Sequence, residues 1–188
     1  MTEKITALFM RNESVNEEDR EIIHYGMECM LAKLINILLP LPAVLYMKAE
    51  KEYLLFLILF GILRTKVGGY HADTRLRCFI LSYLMIMAAI IWTSIGSTYS
   101  LLWILLTEAI IYIIAPVDTE NKRLNKDDKR YYRKIYAGWL IPIDAVLVIS
   151  LYMGYTIYAR VLQIVLLCLL MLLAAGIVKN GFIHTINN

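Results

Sequence analysis

Cysteine, histidine and net charge are all scarce in this sequence, which has three cysteines, three histidines and a formal net charge of +3. Cys29, Cys78 and Cys168 stand at unrelated spacings, which excludes a CxxC redox pair and a disulfide framework. The histidines lie too far apart in the chain to form a ligand set, so we expect no metal and no other cofactor. The small net charge gives no indication of nucleic-acid binding.

We also expect no cleavable signal peptide, because the first residues lack a basic stretch followed by an apolar core and a small-residue cleavage site. Asn16 precedes three acidic residues, a pattern typical of a helix cap with an acidic first turn. Ile5, Leu8 and Phe9 share a helical face upstream of this cap. These features predict an N-terminal region, residues 1–28, with an amphipathic helix on the membrane surface.

Hydrophobic residues make up 60% of the chain, and the mean hydropathy is +0.61. Soluble domains are typically about 45–50% apolar. The apolar residues form six segments, which are 30–47, 53–63, 78–95, 101–115, 135–153 and 157–178. The sequence therefore predicts an all-α, multi-pass protein of the cell membrane, in which residues 29–188 form one transmembrane domain.

The six segments differ in length. A helix needs roughly 20 apolar residues to cross the hydrocarbon layer, and the third, fifth and sixth segments meet this requirement. The fourth is slightly short. The second, residues 53–63, spans the membrane only if its ends are extended, and otherwise it is a re-entrant segment sheltered by protein.

Basic residues are concentrated in the connections after the second and fourth segments, whereas the links at 96–98 and 154–156 carry no charge. Because short cytoplasmic loops are enriched in Lys and Arg, six crossings fit one arrangement. Both termini and both basic loops would lie in the cytoplasm. Lys48 and Lys51 would lie outside, a minor departure from the rule.

The stretch KVGGYHADTRLRCF, residues 66–79, holds the candidate catalytic residues. Cysteine attacks as the thiolate, and a helix capped by Asp73 or Thr74 would place Cys78 near its positive end. Arg75 lies three residues before Cys78, so on a helix it also favours an anion there. His71 could take the thiol proton, as in other Cys–His pairs.

The spacing of His71 and Cys78 requires a break in the helix. On a continuous helix the two residues would stand about 10.5 Å apart along the axis, which is too far for a hydrogen bond. Gly68 and Gly69 permit a bend just upstream, so we expect His71 in a connection and Cys78 on the next helix. A pair formed across a dimer is the alternative. The glycines could also let a substrate backbone approach closely, or serve only as a turn.

Each cysteine also has a simpler interpretation. A cysteine at the membrane boundary, such as Cys78, can be a lipidation site or a packing residue. Cys29 lies near His24 at a similar boundary but lacks the glycines and arginines, so we expect it to be structural. Cys168 stands among leucines in the sixth segment, where we expect packing.

Acidic residues within apolar segments are costly and usually functional, and Glu108 and Asp144 are the best examples here. Either could orient His71, bind a basic group of a substrate, or pair with Arg160 or Lys33.

Asp118 and Glu120 stand in the loop after the fourth segment, beside seven basic residues. They could contact a charged substrate tail. Alternatively, this loop is solvated and touches anionic membrane lipids.

Two separate motifs resemble the AgrB (accessory gene regulator B) family of Gram-positive quorum-sensing systems. GGYHA at 68–72 is followed by a cysteine seven residues after the histidine, and APVDTENKRL occupies 115–124. The resemblance covers most of the chain and implies a membrane-embedded cysteine endopeptidase, with His71 matching the catalytic histidine and Cys78 the nucleophile.

The same resemblance implies a substrate and a product. Family members cleave the C-terminal part from an AgrD-type propeptide and keep the remainder as an acyl-enzyme thioester. An internal cysteine or serine of the peptide then takes over the acyl group, which makes a cyclic thiolactone or lactone autoinducing peptide. The resemblance also implies a homodimer.

Other classes of membrane protein remain possible from the sequence. A non-enzymatic peptide exporter or signalling partner would have the same topology, with an inert Cys78. A glutamate-type intramembrane protease is disfavoured, because no EExxxR motif stands in an apolar segment.

Overall fold

A computed structural model describes residues 17–70, 74–95, 99–117 and 125–186. The side chains of residues 17–22, 25, 29, 75 and 180–186 are not part of this description. Within the described ranges every regular element is an α-helix, apart from one isolated parallel bridge between Gly68 and Val117. The surface helix expected around Ile5, Leu8 and Phe9 lies outside these ranges and stays a prediction.

All six apolar segments lie in helices. The helices are α1 (Glu17–Leu38), α2 (Leu41–Met47), α3 (Glu50–Val67), α4 (Arg75–Ser94), α5 (Leu101–Ile114), α6 (Lys126–Tyr152) and α7 (Ile157–Ile186). The first segment is divided between α1 and α2 by a turn at Leu39 and Pro40, because proline cannot donate to the helical ladder. The described part of α1 begins at Glu17, and the predicted cap at Asn16 lies outside the described residues.

Four stretches in the described ranges are long and apolar enough to cross a membrane. They are Gly26–Met47, Leu76–Ser94, Lys126–Tyr152 and Ile157–Lys179. These include the third, fifth and sixth segments, and α5 is shorter at 14 residues. α3 reaches 18 residues by adding charged residues at both ends of its apolar stretch. The all-α membrane fold is therefore confirmed, and the arrangement with six crossings stays a prediction.

The chain divides into two compact units, Met1–Ala43 and Val44–Asn188. In the first unit, His24 lies 3.8 Å from the Glu28 carboxylate one turn later in α1. The same helix exposes apolar side chains, among them Met30 and Leu34.

In the second unit, α7 is the central helix and packs against α3, α4, α5 and α6. Half of its membrane-length stretch is buried inside the protein, against 22% for α4 and 17% for α6. Leu162, Leu166, Leu169 and Leu173 are fully buried on one face of α7, and their spacing of three and four residues is that of a helical stripe. Cys168 is buried in the same helix, which confirms that it packs.

Polar contacts join neighbouring helices at both ends of the second unit. At one end, the Ser100 N–H donates to Gln163 Oε1 (2.8 Å) and Arg160 donates to the Thr93 carbonyl oxygen (3.3 Å). At the other end, α3 and α5 finish close to the C-terminal half of α7. We call this second region the motif end, because it contains Gly68–Tyr70 and Val117 from the two sequence motifs.

Candidate active site at the motif end

The segment Gly68–Tyr70, which we call the glycine segment, breaks the helix after Val67. Gly68 has φ 73° and ψ −148°, and Gly69 has φ 108°, which are angles that residues with a Cβ rarely adopt. A Cβ on Gly68 would lie 2.8 Å from the Val117 carbonyl oxygen, and a Cβ on Gly69 would lie 2.9 Å from the carbonyl oxygen of Leu172. The two glycines thus form a turn that is packed tightly against the protein's own backbone.

Arg64 holds the glycine segment from the α3 side. It lies one helical turn before the break, and its guanidinium donates to the carbonyl oxygens of Gly68 and of Tyr70, the latter at 2.7 Å. A guanidinium is a planar fork with several donors, so it can satisfy two acceptors at once. One side chain therefore holds both ends of the glycine segment.

α7 holds the glycine segment from the other side. The Tyr70 N–H donates to the Leu172 carbonyl oxygen at 2.8 Å. Next to this contact lies Gly176, which is buried, and the Lys179 ammonium stands 5.7 Å from the centre of the Tyr70 ring. The backbone of the glycine segment reaches α7 where that helix has no side chain.

The second motif meets the first at the end of α5. The Val117 N–H donates to the Val67 carbonyl oxygen (3.4 Å), and Val117 forms the parallel bridge with Gly68. From α6, Arg133 donates to the carbonyl oxygens of Ala115 (3.2 Å) and Ile113 (3.1 Å). These contacts satisfy carbonyl groups that a helix end leaves without a partner.

Cys78 lies in the first turns of α4. Thr74 has an extended backbone and caps the helix, since its hydroxyl oxygen accepts from the Arg77 N–H at 3.3 Å. The Cys78 N–H donates to the Thr74 carbonyl oxygen at 3.0 Å. The thiol is free and exposed. The structure therefore confirms the predicted cap at Thr74 and the predicted position of Cys78 at the start of a helix.

Arg64 is electrostatically connected to this cysteine. Burial lowers the pKa of the Arg64 guanidinium, whereas the negative charge of a Cys78 thiolate raises it. The ordinary pKa of an arginine lies so far above neutral pH that Arg64 keeps its positive charge. The residue that holds the glycine segment thus also places a positive charge within electrostatic reach of Cys78.

Several predicted site residues lie outside the described ranges. These are His71, Asp118 and Glu120, and the side chain of Arg75 is likewise not described. The chain does leave the helix after Val67 and re-enters helix at Arg75, which is the break that the spacing of the Cys–His pair required. The pairing of His71 with Cys78 stays a prediction.

A family model described as Accessory gene regulator B matches residues 2–178. The chain belongs to the AgrB family. The AgrB family is involved in the processing of accessory gene regulator peptides.

Two relatives come from Clostridium perfringens. AgrB-like protein 2 of strain 13 / Type A is 27% identical over 125 residues, and an AgrB-like protein of strain SM101 / Type A is 26% identical over 125 residues. In both cases the match covers 61% of this chain and 58% of the relative, so the chain spans less than two thirds of either relative's length. No solved structure matches the chain.

The two acids inside the membrane segments of this AgrB-family chain contact each other. The side chains of Glu108 on α5 and Asp144 on α6 lie close enough to interact. An ionised carboxylate only accepts, so a hydrogen bond between them requires a proton on one of the two. Glu108 Oε1, Asp144 Oδ1 and the Tyr136 hydroxyl are buried without a hydrogen-bond partner in the described part of the chain.

Pairing with Arg160 is one of the roles that the sequence suggested for these two acids. Arg160 donates to the Thr93 carbonyl oxygen at the opposite end of the unit, and in the described residues neither acid forms an ion pair with it. The pair connects α5 to α6 in the interior of the unit. A role in orienting His71 or in binding a substrate stays a prediction.

Sequence reasoning missed three residues of the motif end, namely Arg64, Arg133 and Gly176. In the sequence, Arg64 and Arg133 look like basic loop residues that only set the orientation, although each holds carbonyl groups at a helix end. Gly176 interrupts a continuous apolar stretch, and glycine lowers helix stability by roughly 0.5–1 kcal/mol relative to alanine. A glycine at this unfavourable position was the feature of the sequence that could have indicated a close contact.

Proposed function

We propose that this chain is a membrane-embedded cysteine endopeptidase that cleaves the C-terminal part from an AgrD-type propeptide and closes the remainder into a cyclic thiolactone or lactone. The observation that supports this most is the free, exposed thiol of Cys78 on the first turns of α4, whose negative charge as a thiolate would act on the arginine that holds the glycine segment. That segment leads directly into His71 in the sequence.

The first step is acyl transfer to the enzyme. His71 takes the proton of the Cys78 thiol, and the sulfur attacks the carbonyl carbon of the scissile peptide bond. The C–N bond breaks as His71 returns the proton to the departing amine. The C-terminal fragment leaves, and the N-terminal part remains on Cys78 as a thioester. Because a thioester is less stable than a peptide bond, removal of the fragment must draw this step forward.

The second step closes the ring. An internal cysteine thiol or serine hydroxyl of the bound peptide attacks the thioester carbonyl, and its proton passes through His71 to the Cys78 sulfur as the C–S bond to the enzyme breaks. With cysteine, one thioester replaces another, so this exchange is close to energy balance. Water must be kept from the acyl-enzyme, because hydrolysis competes with ring closure. Placement among helices at a membrane boundary serves that purpose.

The proposal includes an orientation and partners. The motif end faces the cytoplasm, where the propeptide is made, and basic residues flank it there. Asp118 and Glu120 contact the charged tail of the propeptide, the neighbouring basic residues contact anionic lipids, and the enzyme works as a homodimer.

Co-expression with a propeptide tests the proposal. Cys78→Ser and His71→Ala should each abolish C-terminal cleavage, measured by mass spectrometry of the peptide, while the protein stays in the membrane fraction. Cys168→Ala is the matched control, because that thiol is buried in the core of α7, and it should retain cleavage. If Cys78→Ser still cleaves the propeptide, the endopeptidase proposal is wrong. A protein that exports peptide without cleaving it would indicate a transporter instead.

A further inference from the structure

We propose that Gly176 on α7 is a positioning residue for the active site. Because it has no side chain, the backbone of the glycine segment can pack directly against α7 at this position. The inference rests on the proposed endopeptidase function and extends it to a helix that carries neither motif. Its role would be to set the place of the chain that leads from Tyr70 to His71 and on to the cap of α4.

The contact at Gly176 leaves no room for a side chain. A Cβ on Gly176 would lie 2.9 Å from the Tyr70 nitrogen, 3.0 Å from the Gly69 carbonyl carbon and 3.1 Å from the Gly69 Cα. All three are backbone atoms, which cannot rotate away as the end of a flexible side chain can. A methyl group at this position would therefore push the glycine segment away from α7.

The hydrogen bond beside Gly176 depends on the same close approach. The Leu172 carbonyl lies one helical turn before Gly176 and accepts the Tyr70 N–H at 2.8 Å. Displacing the glycine segment by about 1 Å would stretch this bond beyond the normal range. A Cβ on Gly69 would in turn lie 2.9 Å from the Leu172 carbonyl oxygen, so neither side of this contact has room for a side chain.

The contact at Gly176 is linked to the proposed catalytic residues by the chain itself and by hydrogen bonds. Three residues join Tyr70 to Thr74, the cap of the helix that carries Cys78. Consecutive Cα atoms are about 3.8 Å apart, so a shift of Tyr70 passes directly to its neighbour. Arg64 holds the carbonyl oxygens of Gly68 and Tyr70. A displaced segment would therefore disturb both the chain that leads to the cap of α4 and the two hydrogen bonds of Arg64.

Two other helical glycines provide matched controls. At Gly61 on α3 and Gly138 on α6, a Cβ would have no atom within 4 Å outside its own stretch of helix. Alanine at either site fills open space and favours the helix. The three substitutions are chemically identical, so any difference between them reports the contact with the glycine segment and not the loss of a glycine.

The test compares Gly176→Ala with Gly61→Ala and Gly138→Ala in the purified full-length protein, with a propeptide as substrate. Gly176→Ala should lower kcat by about 100-fold, since misplacement by about 1 Å can have that effect, with KM changed by less than about threefold. The alkylation rate of Cys78 by iodoacetamide at neutral pH should fall in parallel. Both controls should keep kcat within about twofold.

A measurement on the unaltered protein guards against a variant that fails to fold. In hydrogen exchange, the Tyr70 amide should be protected as strongly as amides in the middle of α7, although it lies outside any helix. Free exchange of this amide would overturn the inference, as would a folded Gly176→Ala variant with normal kcat and normal alkylation. The two proposals fail separately, because cleavage by Cys78→Ser would reject the endopeptidase whatever Gly176→Ala does.

Discussion

The Tyr70 N–H donates a hydrogen bond of 2.8 Å to the Leu172 carbonyl oxygen, and this bond joins the motif segment to the central helix of the unit. The same carbonyl oxygen lies 2.9 Å from the position that a Cβ on Gly69 would occupy. The segment that precedes His71 is therefore attached to the most buried helix of the protein, which gives the proposed active site a rigid support.

Replacing Arg64 by lysine tests whether the two hydrogen bonds of its guanidinium position the glycine segment. A single ammonium cannot reach both the Gly68 and the Tyr70 carbonyl oxygens as the guanidinium does. Loss of one charge-assisted hydrogen bond, about 1.5–3 kcal/mol, should lower kcat/KM for propeptide cleavage about 10- to 100-fold. Lys51→Ala, an exposed site at the other end of α3, should have no effect on cleavage. Normal kinetics in Arg64→Lys would show that this hold is unimportant.

Alanine at Gly68 and at Gly154 should differ in cost, because only Gly68 is both strained and crowded beyond its own turn. Both glycines have positive φ, 73° and 79°, and the ψ of −148° at Gly68 lies in a region that is essentially confined to glycine. A Cβ on Gly154 meets nothing within 4 Å, whereas one on Gly68 lies 2.8 Å from the Val117 carbonyl oxygen. Gly68→Ala should therefore lower the Tm in detergent by more than Gly154→Ala. Equal Tm values would contradict the close approach to Val117.

Removing the Thr74 side chain should loosen the turn that carries Cys78. The Thr74 hydroxyl accepts the Arg77 N–H at 3.3 Å, and loss of such a cap typically lowers stability by about 1 kcal/mol. Thr74→Ala should speed hydrogen exchange at the amides of Arg77 and Cys78, with the middle of α4 unchanged. Thr74→Ser keeps the acceptor and should exchange like the unaltered protein. Unchanged exchange in Thr74→Ala would mean that the cap contributes nothing.

The pair formed by Glu108 and Asp144 should tolerate an amide but not a truncation. Glu108→Gln keeps a donor for Asp144, so thermal stability in detergent should change little. Glu108→Ala leaves a buried polar partner unsatisfied and should lower stability by about 1–3 kcal/mol. Combining it with Asp144→Ala should give less than the sum of the single effects. Additive losses would show that the two carboxyl groups do not interact.

Much of the helical architecture could be predicted from the sequence. Runs of apolar residues predicted each helical segment, because burying backbone polar groups in lipid requires a helix. A cap at Asp73 or Thr74 a few residues before Cys78 predicted the start of α4, since capping acts over three or four residues. The bend at Gly68 and Gly69 followed from their backbone freedom. All of these are local effects, so nearby residues contain the information.

The partners of the glycine segment could not be predicted in this way. Arg64 looked like one more basic residue in a cytoplasmic loop, and Gly176 looked like an interruption in an apolar helix. Their roles depend on α7 returning alongside α3, which brings Leu172 next to Tyr70. The sequence likewise did not indicate that Glu108 would meet Asp144, which packing of α5 against α6 brings next to it.

Residue order alone thus determined that the chain is a helical membrane protein, which stretches form its apolar helices, and which thiol stands at a helix start, because each of these follows from short-range forces. Packing of distant helices decided what surrounds the glycine segment. A carbonyl of α7, a missing side chain at Gly176 and the two donors of Arg64 come together only when helices far apart in the chain are side by side.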